Sequence, residues 1–264
     1  MKLSICFVLQ AIGASRTTAL LSINNNGKRM ALFLAFEPGM SATRQLYKII
    51  FCLLIIICPV LLNATIELGI DSLTEFGHNK EIPEQYQKPI LTALSHFPEL
   101  KDVHIVFRIR KQYTPLTTKP DLASVFKRKN YRTYIITISN QTIDTLKRLL
   151  FQNLTFEEQV GVIGHELSHV VDFNSKNFPQ SMATGIGHIS KKYLDRMEFK
   201  TDRICIQHGL GQYLLAYSNH VRQTMHVHNW RGVDYVNKGN ANGRYERYMN
   251  PETIEKYMTT VSSH

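Results

Sequence analysis

Cysteine is scarce in this chain of 264 residues, and its placement excludes a fold held together by disulfides. Cys6, Cys52 and Cys58 all precede residue 65, in a region that we interpret below as a leader. Cys205 then stands alone in the rest of the chain, so an intramolecular disulfide is impossible there. A lone cysteine is more often a small buried apolar residue than a metal ligand, and we expect that role for Cys205.

The sequence also lacks internal repeats, low-complexity tracts and a large charge excess. The net charge of the whole chain is +10, but the part after residue 64 has 25 Lys and Arg against 20 Asp and Glu, a net charge of +5. The basic stretch K-R-K-N at residues 127–130 is accompanied by no aromatic stacking module. We therefore expect no nucleic-acid partner.

An apolar run near the N-terminus predicts export. Arg44 and Lys48 precede 14 apolar residues at 49–62, which end at Asn63 and Ala64. This run is short for a membrane span, which needs about 20 residues, and typical of a signal-peptide core. We predict a signal peptide at residues 40–64, with an uncleaved membrane anchor as the alternative. Residues 1–39 would then be disordered, or the true start of the chain would be Met40. Residues 65–264 would form a single secreted or periplasmic domain.

The pattern that carries the most information is T-F-E-E-Q-V-G-V-I-G-H-E-L-S-H-V-V-D at residues 155–172, which predicts one amphipathic helix. Thr155 and Glu158 have the spacing of a capping box, which fixes the helix start. Apolar residues at 156, 160, 163, 167, 170 and 171 form one stripe, and His165 and His169 project roughly opposite to it. We therefore expect both histidines to face a cleft rather than the core.

His165, Glu166 and His169 form an H-E-x-x-H motif. Residues four apart lie on one face of a helix, so both imidazoles can bind a single metal ion with Glu166 beside them. A histidine pair packed in the core is the alternative, and the apolar stripe on the other face argues against it. Gly161 and Gly164 cost the helix about 1 kcal/mol each relative to alanine, which suggests that another backbone packs closely there.

A catalytic zinc site usually has three protein ligands, so two imidazoles leave it one short. An extended motif with a third histidine is excluded, because Asp172 and Ser175 stand where its glycine and histidine belong. Residues 190–208 predict a second helix on which Glu198 and Asp202 lie four apart on one face. Apolar neighbours make such carboxylates costly unless they are paired or bind metal. A surface ion pair between Asp202 and an arginine or lysine is the alternative.

H-E-x-x-H followed by E-x-x-x-D on a later helix resembles the gluzincin zinc metallopeptidases, the thermolysin-like group and its shorter bacterial relatives. The resemblance covers about residues 155–210. It implies one zinc ion (Zn²⁺) held by His165, His169 and Glu198. It also implies that Glu166 is the general base and that Asp202 orients a ligand histidine.

The sequence departs from the thermolysin-like pattern in the connection at residues 173–197, which is longer. This difference leaves His188 and His208 as alternative third ligands. The resemblance further implies an α+β, zincin-like fold with a twisted, mainly antiparallel sheet over the active-site helix. The sheet belongs to an upper half at about residues 65–174, and a mostly helical lower half spans about residues 175–264.

Hydrophobic periodicity predicts the remaining elements. They are a helix at 83–97, a strand at 103–110, a hairpin of strands at 123–126 and 131–139, a short helix at 142–151, a loop at 174–189, a helix at 211–227, a loop at 229–249 and a last helix that starts at Asn250 and Pro251. We expect the strand at 131–139 to be the open edge along which a peptide binds. A central position for this strand is the alternative.

The predicted function is hydrolysis of peptide bonds in a peptide or protein substrate. Zinc would polarise the carbonyl and lower the pKa of its bound water towards about 7, and Glu166 would take the water proton and pass it to the leaving amine. A membrane partner is expected only if the leader is retained. One alternative is an inactive zinc-binding homologue that acts as a binding protein, against which the retained Glu166 argues. A zinc hydrolase of non-peptide amides is another, and it would differ only in its pocket.

A peptidase of this kind also needs a donor that stabilises the oxyanion, and the sequence does not single one out. The candidates are His188, Tyr193, Tyr213, His220, His226 and His228.

Overall fold

The computed structural model describes residues 3–11, 17–25, 28–36, 73–124, 127–128, 131–176, 190–236 and 246–261. The chain divides into two compact units, residues 1–69 and residues 70–264. The predicted leader at residues 40–64 lies outside the described residues. No helix in the described ranges is long and apolar enough to cross a membrane.

The first unit contains three antiparallel strands, β1 (Leu3–Ala11), β2 (Thr17–Asn25) and β3 (Lys28–Phe36), in that order in the sheet. The sequence pattern predicted no strand here, where residues 1–39 were expected to be disordered or an over-long start. Antiparallel backbone pairing satisfies hydrogen bonds without an alternating side-chain pattern. An Asn-Gly dipeptide, a strong hairpin signal, separates the paired residues Asn25 and Lys28 in the sequence.

The second unit contains a four-stranded sheet made of β4 (Lys80–Glu81), β5 (His104–Arg110), β6 (Leu116–Pro120) and β7 (Thr133–Ser139). The strand order is β4-β5-β7-β6. The β4/β5 and β5/β7 pairs are parallel, and only β6/β7 is antiparallel. The sheet is therefore mixed rather than mainly antiparallel as the sequence predicted. The cause is that β7 inserts between β5 and β6 instead of pairing at the end of the sheet.

The strand β7 is central, so the prediction that residues 131–139 form the open edge is wrong. Every residue of β7 after Thr133 is buried. A strand that is apolar on both faces needs cover on both sides, and a central position between β5 and β6 allows this. The edge beside β7 is instead β6.

The strand β6 replaces the strand that was predicted at residues 123–126. Its sequence L-T-T-K-P has no apolar alternation and ends in proline, which a strand tolerates at a sheet edge. In the predicted segment, Ser124 belongs to a turn: its N–H donates to the carbonyl oxygen of Asp121 at 3.0 Å and to the Asp121 carboxylate at 3.1 Å. Residues 125–126 lie outside the described ranges.

The helices agree more closely with the sequence pattern. They are α1 (Gln87–Leu94), α2 (Phe156–Ser175), α3 (Lys191–Cys205), α4 (Gly211–Met225) and α5 (Pro251–Val261). A five-residue π-helical turn, Ile206–Leu210, joins α3 to α4. The helix predicted at 142–151 is instead two 3-10 turns, Asp144–Leu149 and Phe151–Asn153, because Leu150 between them is extended.

Helix α2 lies at the centre of this unit, where it packs against α1, α3, α4 and β6. Its apolar side chains join those of α1, β5 and β7 in one core, which includes Ile90, Leu94, Ile105, Ile136, Ile163 and Leu167. Full burial of a side chain of this size contributes about 1.5–3 kcal/mol to folding. The unit thus combines helices with a small mixed sheet, which is compatible with an α+β fold, and other elements pack on the H-E-x-x-H helix from several sides.

Candidate metal centre

The capping box predicted for α2 is present and fixes where this helix starts. The Thr155 hydroxyl accepts a hydrogen bond from the Glu158 N–H at 3.4 Å, and the Glu158 carboxylate accepts one from the Thr155 N–H at 2.8 Å. These bonds satisfy two backbone donors that a helix start otherwise leaves unpaired. The start at Phe156 sets which residues of the helix face α3.

Both glycines of α2 lie at close helix contacts, as the sequence suggested. A Cβ atom at Gly161 would stand 2.1 Å from the backbone oxygen of Tyr213 on α4. A Cβ atom at Gly164 would stand 2.6 Å from Leu210 and 3.1 Å from the sulfur of Cys205. The backbones of α2 and α4 can therefore approach only because Gly161 has no side chain.

The histidines of α2 are more enclosed than the amphipathic pattern predicted. His165 and His169 are 6% and 7% exposed, and the helix is buried on every side from Val160 to Val170. They do not project into an open cleft, because α3 covers them and the ring of Tyr248 lies 5.7 Å from that of His165. Their environment is polar all the same, since both imidazoles contact side chains of α3.

Helix α3 brings Glu198 to the two histidines. The Ser190 hydroxyl caps this helix by accepting a hydrogen bond from the Tyr193 N–H. One carboxylate oxygen of Glu198, Oε2, lies 3.2 Å from His165 Nε2 and 3.2 Å from His169 Nε2. His165, His169 and Glu198 offer three ligand atoms within 4.8 Å of one another, so the group could hold a metal ion.

The second nitrogen of each imidazole has its own partner, which fixes the tautomer. His165 Nδ1 lies 2.7 Å from Asp202 Oδ1, and His169 Nδ1 lies 3.2 Å from the Thr201 hydroxyl. That hydroxyl donates to the Met197 carbonyl at 2.9 Å, so it is left to accept from His169. Both Nδ1 atoms therefore act as donors, which leaves both Nε2 atoms, on the side of Glu198, to bind a metal ion when they carry no proton. This donor set fits zinc, which binds neutral imidazole nitrogens and carboxylate oxygens.

Charge interactions within this group favour a positive charge beside the Glu198 carboxylate. Burial alone would lower the pKa of His165, but its hydrogen bonds to Asp202 and Glu198 outweigh burial and hold this pKa well above its usual range. Burial would raise the pKa of Glu198, yet the two histidines hold it far below its usual range. A proton on an imidazole or a bound cation meets the same need, so the two compete for the site.

Glu166 follows His165 in α2 and reaches towards the sheet. Its side-chain oxygen Oε2 accepts a hydrogen bond of 2.6 Å from the hydroxyl of Thr118 on the edge strand β6. Glu166 is 7% exposed and lines the same cavity as His165. The carboxylate is thus held between the candidate metal ligands and the last strand of the sheet, β6.

The segment before α5 closes the centre from the other side. Asp202 bonds to this segment as well as to His165, since its Oδ2 accepts the Met249 N–H at 2.7 Å. Buried Arg222 on α4 donates to the carbonyl oxygens of Tyr248 and Met249 and to the Asn250 side chain. This segment is irregular, in agreement with the loop that the sequence predicts there, and its hydrogen bonds place Tyr248 beside His165.

A cavity of about 100 Å³ opens beside His165 and Glu166. Its far walls are apolar and come from the 3-10 turn Asp144–Leu149, α2, α4, the start of β6 and the segment after α4; they include Leu116, Leu149, Val162, Val221, Trp230 and Val233. The phenol groups in its lining belong to Tyr217 and Tyr248, and the sequence had put forward neither. No local pattern marks them, because only tertiary packing brings them to the motif.

The alternative third ligands can now be compared with Glu198. His208 lies away from the centre: its Nε2 is 2.7 Å from Glu99 and its Nδ1 is 2.8 Å from the Ile204 carbonyl. Its ring also stacks on Phe97. His188 lies outside the described residues. Cys205 is fully buried in the core, as predicted, and is not part of the group that could hold a metal.

We find no match for this chain among protein-family models, curated protein sequences or solved structures. Its function is therefore inferred from the geometry of these residues.

Proposed function

We propose that this chain is a zinc-dependent metallopeptidase with a zincin-like fold. The observation that carries the proposal is the convergence of His165 Nε2, His169 Nε2 and Glu198 Oε2 from two helices, with Glu166 next to the first ligand. Asp202 and Thr201 support it, because they set the tautomer that leaves both Nε2 atoms able to bind metal.

Bound zinc supplies a Lewis acid that polarises a peptide carbonyl and makes water more acidic. Glu166 accepts the proton of the attacking water and delivers it to the nitrogen of the leaving amine. Tyr248 lines the cavity beside His165 and Glu166. Its burial is the larger cause, and the nearby charge of Glu198 the second, of a phenol pKa well above the usual range. Its hydroxyl therefore stays protonated and can donate to the oxygen of the carbonyl under attack.

The strand β6, which pairs only with β7 among the described residues, supports a peptide as the substrate. The Asp121 N–H donates to the Thr133 carbonyl and the Ser139 N–H donates to the Pro115 carbonyl, so odd-numbered residues of this segment bond to β7. The N–H and carbonyl groups of Leu116 and Thr118 then point to the other side, where an extended peptide can add a strand.

The cavity beside Glu166 supports a preference for an apolar side chain next to the bond that is cleaved. Its volume of about 100 Å³ and its apolar walls suit an aliphatic side chain of about the size of leucine. Because the predicted leader directs the chain out of the cytosol, we propose that the substrate is an extracytoplasmic peptide or protein.

Metal content and peptide cleavage, measured together, test the proposal. The wild type should bind about one zinc per chain and cleave members of an unbiased peptide library. Glu166→Gln keeps the size of the side chain but removes the base, so zinc should remain and cleavage should fall below a few per cent. Glu157→Gln is the matched control, because Glu157 is an exposed residue in the first turn of the same helix. Cleavage by Glu166→Gln at the wild-type rate would contradict the mechanism.

A further inference from the structure

Thr118 links the edge strand β6 to the carboxylate of Glu166. Its hydroxyl lies 2.6 Å from Glu166 Oε2 and 3.3 Å from the Glu166 backbone oxygen. Glu166 is buried and Thr118 is half-buried, and a hydrogen bond to a carboxylate is about twice as strong as one between neutral groups. Among the described residues, no other side chain donates a hydrogen bond to this carboxylate.

Both ends of this contact belong to packed elements. Glu166 belongs to the central helix α2, while Thr118 is held by the pairing of β6 with β7. Threonine is branched at Cβ, which restricts its χ1 angle and so the direction of its hydroxyl. The Thr118 side chain thus occupies one carboxylate oxygen of Glu166 and leaves the other oxygen, Oε1, to accept a proton.

We propose that Thr118 is a positioning residue for the general base, an inference that rests on the proposed peptidase function. Thr118 fixes the rotamer of Glu166, so that one oxygen is held by the sheet and the other meets the attacking water. The backbone of the same residue points to the edge of β6 that faces away from β7. A peptide that binds along this edge is therefore placed by the residue that also places the base.

The proposal predicts a loss of rate rather than a loss of substrate binding. Without the hydroxyl, the Glu166 carboxylate can turn away from the proton that it must accept, while the backbone edge of β6 is unchanged. A misplacement of about 1 Å can cost up to about 100-fold in rate. We expect Thr118→Val to lower kcat by about 10-fold and to change KM by less than about 2-fold.

Two variants separate positioning from folding. Thr118→Ser keeps the hydroxyl and should restore most of the lost rate, which a purely structural role of the threonine methyl group would not allow. Thr117→Val is the matched control on the same strand, because the Thr117 hydroxyl faces Gln112 at 3.4 Å. It should retain the wild-type kcat. Zinc content should be equal in all of these proteins.

A second measurement tests the contact without turnover. Thr118→Val and Glu166→Ala, which removes the acceptor, are made singly and together, and their urea midpoints are measured in the metal-free protein. If the two side chains interact, the urea midpoint of the double variant falls by less than the sum of the two single decreases. Additive losses overturn the proposal.

The outcomes distinguish this inference from the proposed function. An active wild type with an unchanged kcat in Thr118→Val overturns the role of Thr118 alone. A zinc-loaded wild type that cleaves no peptide overturns the proposed function and, with it, the catalytic role of Thr118. A lower kcat in Thr118→Val, its recovery in Thr118→Ser and non-additive urea midpoints together support the proposal.

Discussion

Asp202 offers a sharp test of the candidate metal centre, because both of its partners are hydrogen-bond donors. Oδ1 accepts from His165 Nδ1 and Oδ2 accepts from the Met249 N–H, each at 2.7 Å, and the residue is 2% exposed. In Asp202→Asn, the amide group can accept only one of these bonds. Its NH₂ group must then face either the Met249 N–H or the imidazole.

An NH₂ group that faces the imidazole changes the metal ligand His165 itself. If NH₂ faces His165, Nδ1 becomes the acceptor, the ring proton moves to Nε2, and this nitrogen can no longer bind metal. Loss of such a supporting carboxylate typically weakens metal binding by about 10 to 100-fold. We expect the same range for zinc, equivalent to about 1.4–2.7 kcal/mol. The metal-free protein should also lose about 1.5–3 kcal/mol of unfolding free energy, since hydrogen bonds to a buried charged group are lost.

Competition with a chromogenic chelator at pH 7.5 measures the zinc affinity, and urea unfolding measures the stability. Asp172→Asn on α2 is the control. Asp172 is also a buried carboxylate, but its ion-pair partners are Lys176 and Lys200 rather than a histidine. It should lose stability and keep the zinc affinity of the wild type. An unchanged affinity in Asp202→Asn, or an equal fall in both variants, would refute the assignment of Asp202.

Three further predictions follow from other contacts. Metal analysis should show that Glu198→Ala loses most of its zinc and that His208→Ala retains it. The reverse result would make the assignment of Glu198 as the third ligand wrong. Gly161→Ala should destabilise the protein by several kcal/mol in urea unfolding, because its Cβ would overlap the Tyr213 carbonyl, whereas helix propensity alone predicts a gain of about 1 kcal/mol. Burial raises the pKa of Asp172, but its two lysine partners outweigh burial and lower it overall. The Asp172 carboxylate therefore contributes its full stability above pH 3.8, the pKa of the unfolded state, and this contribution is lost as the pH falls through the lower pKa of the folded state. Between pH 5 and pH 2 the wild type should lose more unfolding free energy than Asp172→Asn, as measured by urea unfolding.

The leader prediction is tested separately, by sequencing the N-terminus of the exported protein. Cleavage after Ala64 would place the new N-terminus at Thr65. Recovery of the full-length chain from the cytosol would contradict export.

The sequence by itself determined the local parts of the site. The apolar period and the capping box of residues 155–172 predicted α2 and its start, and the spacing of His165 and His169 places them on one face of any helix. The same rule places Glu198 and Asp202 together on α3. These features depend on 3.6 residues per turn and on hydrogen bonds between residues three or four apart, so no tertiary information is needed to predict them.

Only the tertiary structure decided the arrangement of the sheet and the partners of the motif. The strand at 131–139 and its alternation can be predicted, but whether it is central depends on which strands pair with it, and these are distant in the sequence. The short edge strand β6 has too little apolar character to be recognised before its partner is known. Thr118, Thr201 and Tyr248 meet the H-E-x-x-H helix across 48, 32 and 83 residues of chain, respectively, and contacts of this kind leave no local periodic signal.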